Sequence, residues 1–322
     1  MRAYRVHYIL GRIGQAALVL WAAYTVAYVI LELLPANPLM MIAQAKGSDL
    51  SALNADQIAV LKRTYGLSDN PVQQYFSMLT GALHGDFGIS YQLDQPVAQL
   101  IASRVSSTLL ISLLAIALAL VVSFLLAFAA AFTGNQTIRS VLNALPTFGV
   151  SVPYFWVGLL LMQVFCFWLG WLPSMGNDGG QSLILPTITM SIPTTALLSR
   201  LLMSGFDEVL QEPFVKVAVA HGLGRSRIIL RHSVKNASLP VLTILGLIVG
   251  DTVTGAIVAE TVFSRQGLGS LIQQSVSTQD IPVVLGTVVL AATAFVAVNL
   301  IVDLIYPLLD PRIGYSSKRI AS

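Results

Sequence analysis

Six long stretches without a charged residue restrict the fold of this chain more than any other feature of its sequence. They lie at 13–31, 105–138, 140–177, 179–199, 236–250 and 281–302. A helix needs roughly 20 mostly apolar residues to cross the ~30 Å hydrocarbon core of a bilayer, where only helices and closed barrels satisfy the backbone hydrogen bonds. Only 10% of the residues are charged, against about 25% in soluble domains. The sequence therefore predicts an integral membrane protein.

The apolar stretches lack the alternation of barrel strands, so we predict an all-α polytopic membrane protein with six transmembrane helices. The predicted spans are 11–34, 107–132, 141–170, 183–204, 238–260 and 283–308. The third stretch is too long for one straight span and too short for two spans joined by a loop. Pro146 and Pro153 are therefore expected to kink it, because proline removes a helical hydrogen bond.

The distribution of Lys and Arg predicts which side of the membrane each loop faces. Most of the 18 basic residues lie in the N-terminal segment, in the loop 205–238 and in the C-terminal tail. Under the positive-inside rule, both termini and this loop are cytoplasmic. The predicted organisation is an N-terminal segment with the first span (1–34), a small outer, periplasmic domain (35–106), a transmembrane core (107–314) and a tail (315–322). Short helices are predicted at 54–65 and 71–83 within the outer domain.

The sequence contains no motif that indicates an enzyme, a cofactor site or a metal site. Gly222 and Gly224 stand alone, without the lysine and spacing of a phosphate-binding loop. The four histidines are scattered, the single cysteine, Cys166, has no partner for a disulfide, and no nucleophile elbow is present. The net charge of +3 follows from membrane topology and carries no nucleic-acid signature. We therefore predict that the chain is not an enzyme.

Polar residues inside the predicted spans are the candidates for a path through the membrane. Asp251 falls near mid-membrane, where a carboxylate costs about 2.5–3.5 kcal/mol, so it should face water, a cation or a partner. A hydrogen-bonded packing role for this residue is equally open. The hydroxyls of the fourth span either bond back to their own helix or line a cavity. The candidate substrate-path residues are Asp251, Thr194, Thr195, Ser191 and Gln163.

A polar, helix-prone stretch at 212–240, EPFVKVAVAHGLGRSRIILRHSVKNASLP, separates the fourth and fifth predicted spans. Its first part predicts a short helix with a compact apolar face, ended at His221-Gly222, where glycine permits a left-handed cap. An exposed helix of this kind fits a groove on a partner protein. A helix held on the membrane surface by anionic lipids is the alternative.

The stretch 216–240 resembles the cytoplasmic loop called the EAA motif in permease subunits of ATP-binding cassette (ABC) importers of the dipeptide, oligopeptide and nickel branch. Its glycine falls on Gly222 and its later proline on Pro240, whereas Lys216, Val217 and Lys235 depart from the wider importer consensus. Further similar stretches cover almost the whole chain. They include LLPANP at 33–38, SVPYFWVGLLL at 151–161, AETVFSRQGLGSLI at 259–272 and VNLIVDLIYPLLDPRIG at 298–314.

The resemblance implies a multi-pass permease subunit of the bacterial inner membrane, surrounded by lipid and working by alternating access. It implies pairing with a second, homologous permease as a heterodimer. Two ATPase subunits would hold ATP and Mg²⁺, so that this chain needs no cofactor, and a solute-binding protein would deliver the cargo outside. The residues that would couple to the ATPase are Glu212, Phe214, Val215, Ala218, Ala220 and Gly222.

Three readings of the transported solute and energy source remain open from the sequence. The resemblance favours import of di- and oligopeptides. The acidic side chain of Asp251 would instead suit nickel or a metal chelate within the same architecture. A secondary transporter or channel driven by an ion gradient is the alternative from a different class, and Asp251 is the charged residue available to it.

Overall fold

The computed structural model describes residues 2–33, 37–224, 227, 229 and 234–309. Side chains are described at 11–33, 37–224, 227, 229, 241, 244, 246–248 and 250–302. The predicted tail at 315–322, the end of the first span at 34 and part of the loop 205–238 lie outside the described residues. Within the described ranges no strand forms, and a single antiparallel bridge pairs Ile89 with Pro96. The all-α prediction is confirmed for this part of the chain.

Helices account for most of the described residues. In chain order they are α1 (Arg2–Leu33), α2 (Pro38–Ala45), α3 (Ala55–Thr64), α4 (Pro71–Leu83), α5 (Val97–Phe132), α6 (Gln136–Ser151), α7 (Tyr154–Met162), α8 (Ile184–Gln211), α9 (Pro213–Ala220), α10 (Val234–Val262), α11 (Leu268–Ser277) and α12 (Ile281–Leu309). Short 3₁₀ turns occur at Leu50–Ala52 and Gly180–Leu183, and a π-helical stretch, Gln163–Trp168, continues α7.

Four helical stretches of the described chain are long and apolar enough to cross a membrane. They are Gly11–Leu33, Val97–Phe132, Gly180–Gln211 and Ile281–Val302. The pair Gln136–Ser151 and Tyr154–Trp168 is a fifth candidate if the two bent helices count as one span. The predicted fifth span, 238–260, lies within helix α10, which is not among these candidates. The count of six spans therefore stays a prediction.

Proline explains where the observed helices differ from the predicted spans. The third predicted span, 141–170, divides into α6 and α7, which meet at an angle of 95°. Pro153 causes the break, because the residue before a proline avoids the helical conformation, and Val152 is indeed extended. Pro146, by contrast, stays inside α6. Helix α8 continues into the predicted loop 205–238 until Glu212, which precedes Pro213 and is extended for the same reason.

The two short helices predicted in the outer segment are confirmed, and their caps account for them. Asn54 accepts a hydrogen bond from the Gln57 backbone N–H at 2.8 Å, and the Gln57 side chain accepts one from the Asn54 backbone N–H at 2.9 Å. This reciprocal capping box satisfies two amides that the helix leaves free. Asn70 caps α4 in front of Pro71. Helix α5 starts at Val97, earlier than the predicted 107. The segment between the first and second predicted spans is therefore shorter than predicted.

The chain divides into two compact units, and the first comprises Met1–Thr108 and Gln266–Val296. Its core is unusually aromatic, because Tyr24, Tyr28, Tyr65 and Tyr91 are all buried in it. The ring of Tyr75 on α4 lies 5.2 Å from that of Tyr28 on α1. The Tyr28 hydroxyl donates to the backbone carbonyl of α4 at Pro71. These contacts hold helix α4 against α1.

A buried carboxylate ties the segment before α5 to the start of α12. Asp280 is 1% exposed and accepts hydrogen bonds from the Ser90 hydroxyl, from the Tyr91 backbone N–H at 3.1 Å and from the Gln92 backbone N–H at 3.3 Å. Burial raises the pKa of the Tyr91 phenol, and the Asp280 charge adds to this effect. A carboxylate with several N–H and O–H donors is well satisfied away from water.

The second unit comprises Leu109–Arg265 and Ala297–Ser322. Small residues of α5, such as Ala119 and Ala127, are fully buried and pack in one cluster with Phe206 of α8, since alanine permits close helix approach. Arg265, only 3% exposed, donates to the carbonyls of Gly176 and Ser182, both at 3.0 Å. Burial lowers the pKa of this guanidinium, while the charge of Glu260 raises it. Arg265 thus fastens the loop before α8 to the end of α10.

We predict that Asp280→Ala loosens the first unit. The change leaves the buried Ser90 hydroxyl and two backbone amides without their acceptor, and each such loss costs about 1–3 kcal/mol. Thermal unfolding of the purified protein in detergent and limited proteolysis within 84–96 should both detect the change. The matched control is Asp86→Ala, which removes an exposed carboxylate that accepts one bond from the Gly88 N–H. Equal effects of the two substitutions would contradict the assignment.

Candidate functional site

A cavity of about 250 Å³ lies in the second unit, between α5, α7, α8 and α10. Its polar lining consists of Ser112, Tyr154, Thr194, Asp251, Thr252 and Thr254. Its apolar lining includes Ile116, Met190, Leu197 and Ile248. This volume falls just below the 300–1,000 Å³ that is typical of small-molecule sites, so the cavity has room for part of a small solute.

Two prolines shape the walls of this cavity. Pro153 separates α6 from α7, and Tyr154 takes the first position of α7. At this position Tyr154 lines the cavity. Pro193 lines the cavity from inside α8, where it removes one helical N–H and leaves a carbonyl of the preceding turn without its usual donor. Both effects come from the sequence itself, because proline acts on its own helix.

Asp251 is the charged residue among the lining residues of the cavity. Its side chain is exposed to the cavity, and among the described residues it makes no hydrogen bond or ion pair. The Tyr154 side chain lines the same cavity. Thr254 follows one helical turn later and lines the same cavity. The arrangement presents one carboxylate surrounded by hydroxyl groups.

The structure brings together two of the five predicted substrate-path residues. Thr194 and Asp251 share the cavity wall. Ser191 is buried and donates to the backbone carbonyl of Ile188 at 2.8 Å, as in the alternative in which hydroxyls bond to their own helix. Thr195 and Gln163 are not among the lining residues, and Gln163 is exposed at the start of the π-helical stretch. A role in the substrate path stays a prediction for all five.

Sequence reasoning missed four polar residues of the cavity, namely Ser112, Tyr154, Thr252 and Thr254. Ser112 and Tyr154 come from separate segments, so no spacing in the sequence connects either one with Asp251. Thr254 had a detectable signal, because residues three apart on a helix lie on one face. The gathering of residues from four helices is a property of the tertiary structure alone.

The predicted short helix after the fourth span is present as α9, Pro213–Ala220. Glu212 precedes it in an extended conformation and makes no side-chain cap. At its other end, the Gly222 N–H donates to the Val219 carbonyl at 2.9 Å and the Leu223 N–H to the Ala218 carbonyl at 3.0 Å. With Gly222 at φ +81°, these bonds form a Schellman motif, which requires a left-handed residue after the helix.

The exposed face of α9 differs from the predicted one in one respect. Val215 is buried, while Phe214 is 40% exposed. Val217 is 58% exposed and lies on the same side of the helix as Phe214, whereas Val219, which is 57% exposed, lies on another side. Of the other predicted coupling residues, Ala218 is half-buried and Ala220 is exposed. The helix therefore rests on Val215 and presents Phe214 and Val217 together on one exposed side.

A protein-family model described as "Binding-protein-dependent transport system inner membrane component" matches residues 123–315. This chain belongs to that family. The match includes α8, α9 and α10 and most of the cavity wall. The permease is therefore the inner-membrane component of an ABC import system, as the sequence predicted, and the family consists of transport components and not of enzymes.

Individual relatives resemble the permease over nearly its full length. The "Glutathione transport system permease protein GsiC" of Salmonella choleraesuis (strain SC-B67) is 34% identical over 311 residues, which cover 96% of this chain and 99% of that protein. The protein of the same description from Escherichia coli (strain K12) is 32% identical over 310 residues, with the same coverage. These relatives confirm the prediction of the dipeptide, oligopeptide and nickel branch.

A solved structure described as "Crystal structure of an amino acid ABC transporter with histidines" also aligns with the permease. The TM-score is 0.49 and the sequence identity is 16%. The alignment covers 64% of this chain and 92% of that chain.

We predict that Gly222→Ala weakens the C-terminal end of α9. A side chain at φ +81° costs about 1–2 kcal/mol, which corresponds to roughly 5–30-fold more frequent opening of the last turn. Hydrogen–deuterium exchange of the α9 amides measures this change directly. Gly224→Ala is the matched control, because neither glycine has an atom of the described residues within 4 Å of an added Cβ but Gly224 lacks the positive φ. Equal exchange in both variants would refute the role of the cap.

Proposed function

We propose that the permease carries di- and oligopeptides across the inner membrane as one half of a transmembrane pair. The observation that carries this proposal is the similarity, over 96% of the chain, to permeases described as components of glutathione transport. Glutathione is itself a small peptide. The lining of the cavity supports the proposal, because hydroxyl groups exchange hydrogen bonds with peptide amides and side chains. The cavity would then form part of the substrate path.

ATP hydrolysis in the ATPase subunits would supply the energy, and the docking of α9 into one of them would transmit the resulting movement to the permease. Phe214 and Val217, three residues apart, form a small exposed apolar face on α9, and the Schellman motif at Gly222 fixes the C-terminal end of the helix. A rigid helix with such a face matches a groove on a partner protein. ATP and Mg²⁺ would bind to the ATPase subunits, and the permease would supply no catalytic group.

Helix α8 offers a direct mechanical connection between the docking helix and the cavity. It runs without interruption from Ile184 to Gln211, so Thr194 in the cavity wall and Gln211 beside α9 are separated by about 25 Å of one helix. Near its cytoplasmic end, Asp207 pairs with Arg139 of α6. Movement of α9 would therefore reach the cavity wall through α8 and carry α6 with it, as alternating access requires.

Two further partners complete the proposed importer. A second, homologous permease would supply the other wall of the path, giving a heterodimer. A solute-binding protein would deliver peptide to the outer segment, whose helices α3 and α4 are held by well-formed caps. The proposal includes a topology of six transmembrane spans with both termini in the cytoplasm.

A second candidate cargo is nickel or a metal chelate, for which the carboxylate of Asp251 would supply one negatively charged ligand. Within the same architecture this change would affect the cavity and the binding protein, and it would leave the coupling to ATP as proposed. A secondary transporter or channel would differ more fundamentally, because it would move solute without any ATPase.

Reconstitution into proteoliposomes tests the function directly. The permease with its companion permease, ATPase subunits and binding protein should take up tri-alanine only when ATP is supplied, and the permease alone should show no flux. Uptake of Ni²⁺ or of a nickel chelate instead of peptide would select the second candidate. Flux through the permease alone would refute the importer proposal and favour the channel or secondary transporter.

We predict that Val217→Asp separates the permease from its ATPase subunits. Placing an unpaired carboxylate in an apolar groove costs several kcal/mol, so copurification of the ATPase and ATP-driven uptake should both fall at least about tenfold. Val60→Asp on α3 is a matched control, because Val60 is 60% exposed and Val217 is 58% exposed. Val60→Asp should keep the ATPase bound. Unchanged copurification with Val217→Asp would favour the helix that lies on the membrane surface.

A further inference from the structure

We propose that the cavity in the second unit selects a positively charged organic group, an ammonium or guanidinium, through the carboxylate of Asp251. The inference rests on the proposed function, because it names the part of a peptide cargo that would occupy the cavity. The group would be the free amino terminus or a basic side chain of the peptide.

The first argument is the charge of the cavity wall. Asp251 is its charged side chain, and none of the described lining residues is basic. Arg200, the basic residue of α8, donates instead to the Thr147 hydroxyl of α6 at 3.2 Å. A carboxylate without a neighbouring cation, inside low-dielectric walls, concentrates cations and repels anions.

The second argument is the chemistry of the surrounding groups. An ammonium has three N–H donors and no acceptor, so it needs several oxygen atoms around it. The wall supplies the carboxylate of Asp251 and the hydroxyl oxygens of Ser112, Tyr154, Thr194 and Thr254. The Thr252 hydroxyl already donates to the Ile248 carbonyl at 2.7 Å, which leaves its oxygen lone pairs available as acceptors.

The third argument separates an organic cation from a bare metal ion. A divalent cation bound to protein oxygens takes six or more ligands, and carboxylates are usually several among them. One carboxylate together with neutral hydroxyl groups is a weak set of ligands for such an ion. The same set suits a singly charged group that brings its own donors, and the cavity volume of about 250 Å³ matches one end of a peptide.

A packing role for Asp251 would predict different surroundings. A carboxylate that serves the structure is enclosed by donors, as Asp280 is, with three hydrogen bonds and 1% exposure. Asp251 is exposed and has no such donor among the described residues. The free-energy cost of placing the Asp251 carboxylate in a membrane-embedded helix is therefore offset when a cation binds.

Thiol labelling in the assembled complex tests the charge of the cavity without relying on any cargo. Thr254→Cys in a Cys166→Ser background provides a reporter in the cavity wall. Its labelling rates with a cationic trimethylammonium methanethiosulfonate and with an anionic sulfonate methanethiosulfonate give a ratio. Asp251→Asn should lower this ratio of cationic to anionic labelling about tenfold, as expected for charges a few ångströms apart in a partly hydrated site.

The controls distinguish charge from disturbed structure. Asp251→Glu should keep the ratio, and Asp178→Asn, which removes an exposed carboxylate outside the cavity lining, should also keep it. Thr194→Cys repeats the measurement from α8 if the first reporter misfolds. A ratio that Asp251→Asn leaves unchanged overturns the proposal.

Uptake measurements then connect the cavity with the cargo. In proteoliposomes with the complete complex, Asp251→Asn should lower the initial rate about tenfold for Ala-Lys-Ala alone if the side chain is recognised. The rates of both Ala-Lys-Ala and Ala-Gln-Ala should fall if the amino terminus is recognised. If neither rate falls, the inference fails while peptide import stands. If the wild-type complex imports no peptide but the labelling ratio changes as expected, the proposed function fails while the cation-selective cavity stands.

Discussion

The need to satisfy every backbone hydrogen bond away from water is the constraint on which this structure depends. It makes each apolar stretch a helix, and it gives the few helix-breaking residues a large effect. Pro153 turns α6 into α7 at 95°, and Pro193 sits in the wall of the cavity. Among the hydroxyl side chains of α8 near this second proline, that of Ser191 bonds to its own helix and Thr194 lines the cavity.

Polar groups that are buried elsewhere illustrate the same constraint. In the first unit Asp280 receives three hydrogen bonds from the segment 90–92, and in the second unit Arg265 supplies bonds to the carbonyls of Gly176 and Ser182. Each fastens a loop to the end of a helix through groups that would be costly to leave unpaired. Asp251 differs from both, since it is exposed in a cavity, and this contrast is the physical basis for the proposal that it binds a ligand.

Helix α8 joins the two features that transport by this permease would use. Phe206 and Val209, near its end, are buried, and Asp207 pairs with Arg139 of α6, so the helix is anchored where α9 begins. A force applied to α9 would therefore act on a helix that is packed against its neighbours and not on a loosely held loop. The Schellman motif at Gly222 fixes the C-terminal end of α9, and it thereby defines the helix on which this force would act.

The sequence by itself determined the helical class, the family and the local ends of helices. Long uncharged stretches require helices, and the caps at Asn54, Asn70 and Gly222 involve residues within a few positions of each other, so their spacing is visible in the chain. Only the tertiary structure decided that α5 starts at Val97, that Val215 turns inward, and that Ser112, Tyr154 and Thr194 meet Asp251 in one cavity. Those outcomes depend on packing between segments far apart in sequence, and no local pattern encodes which faces of separate helices will meet.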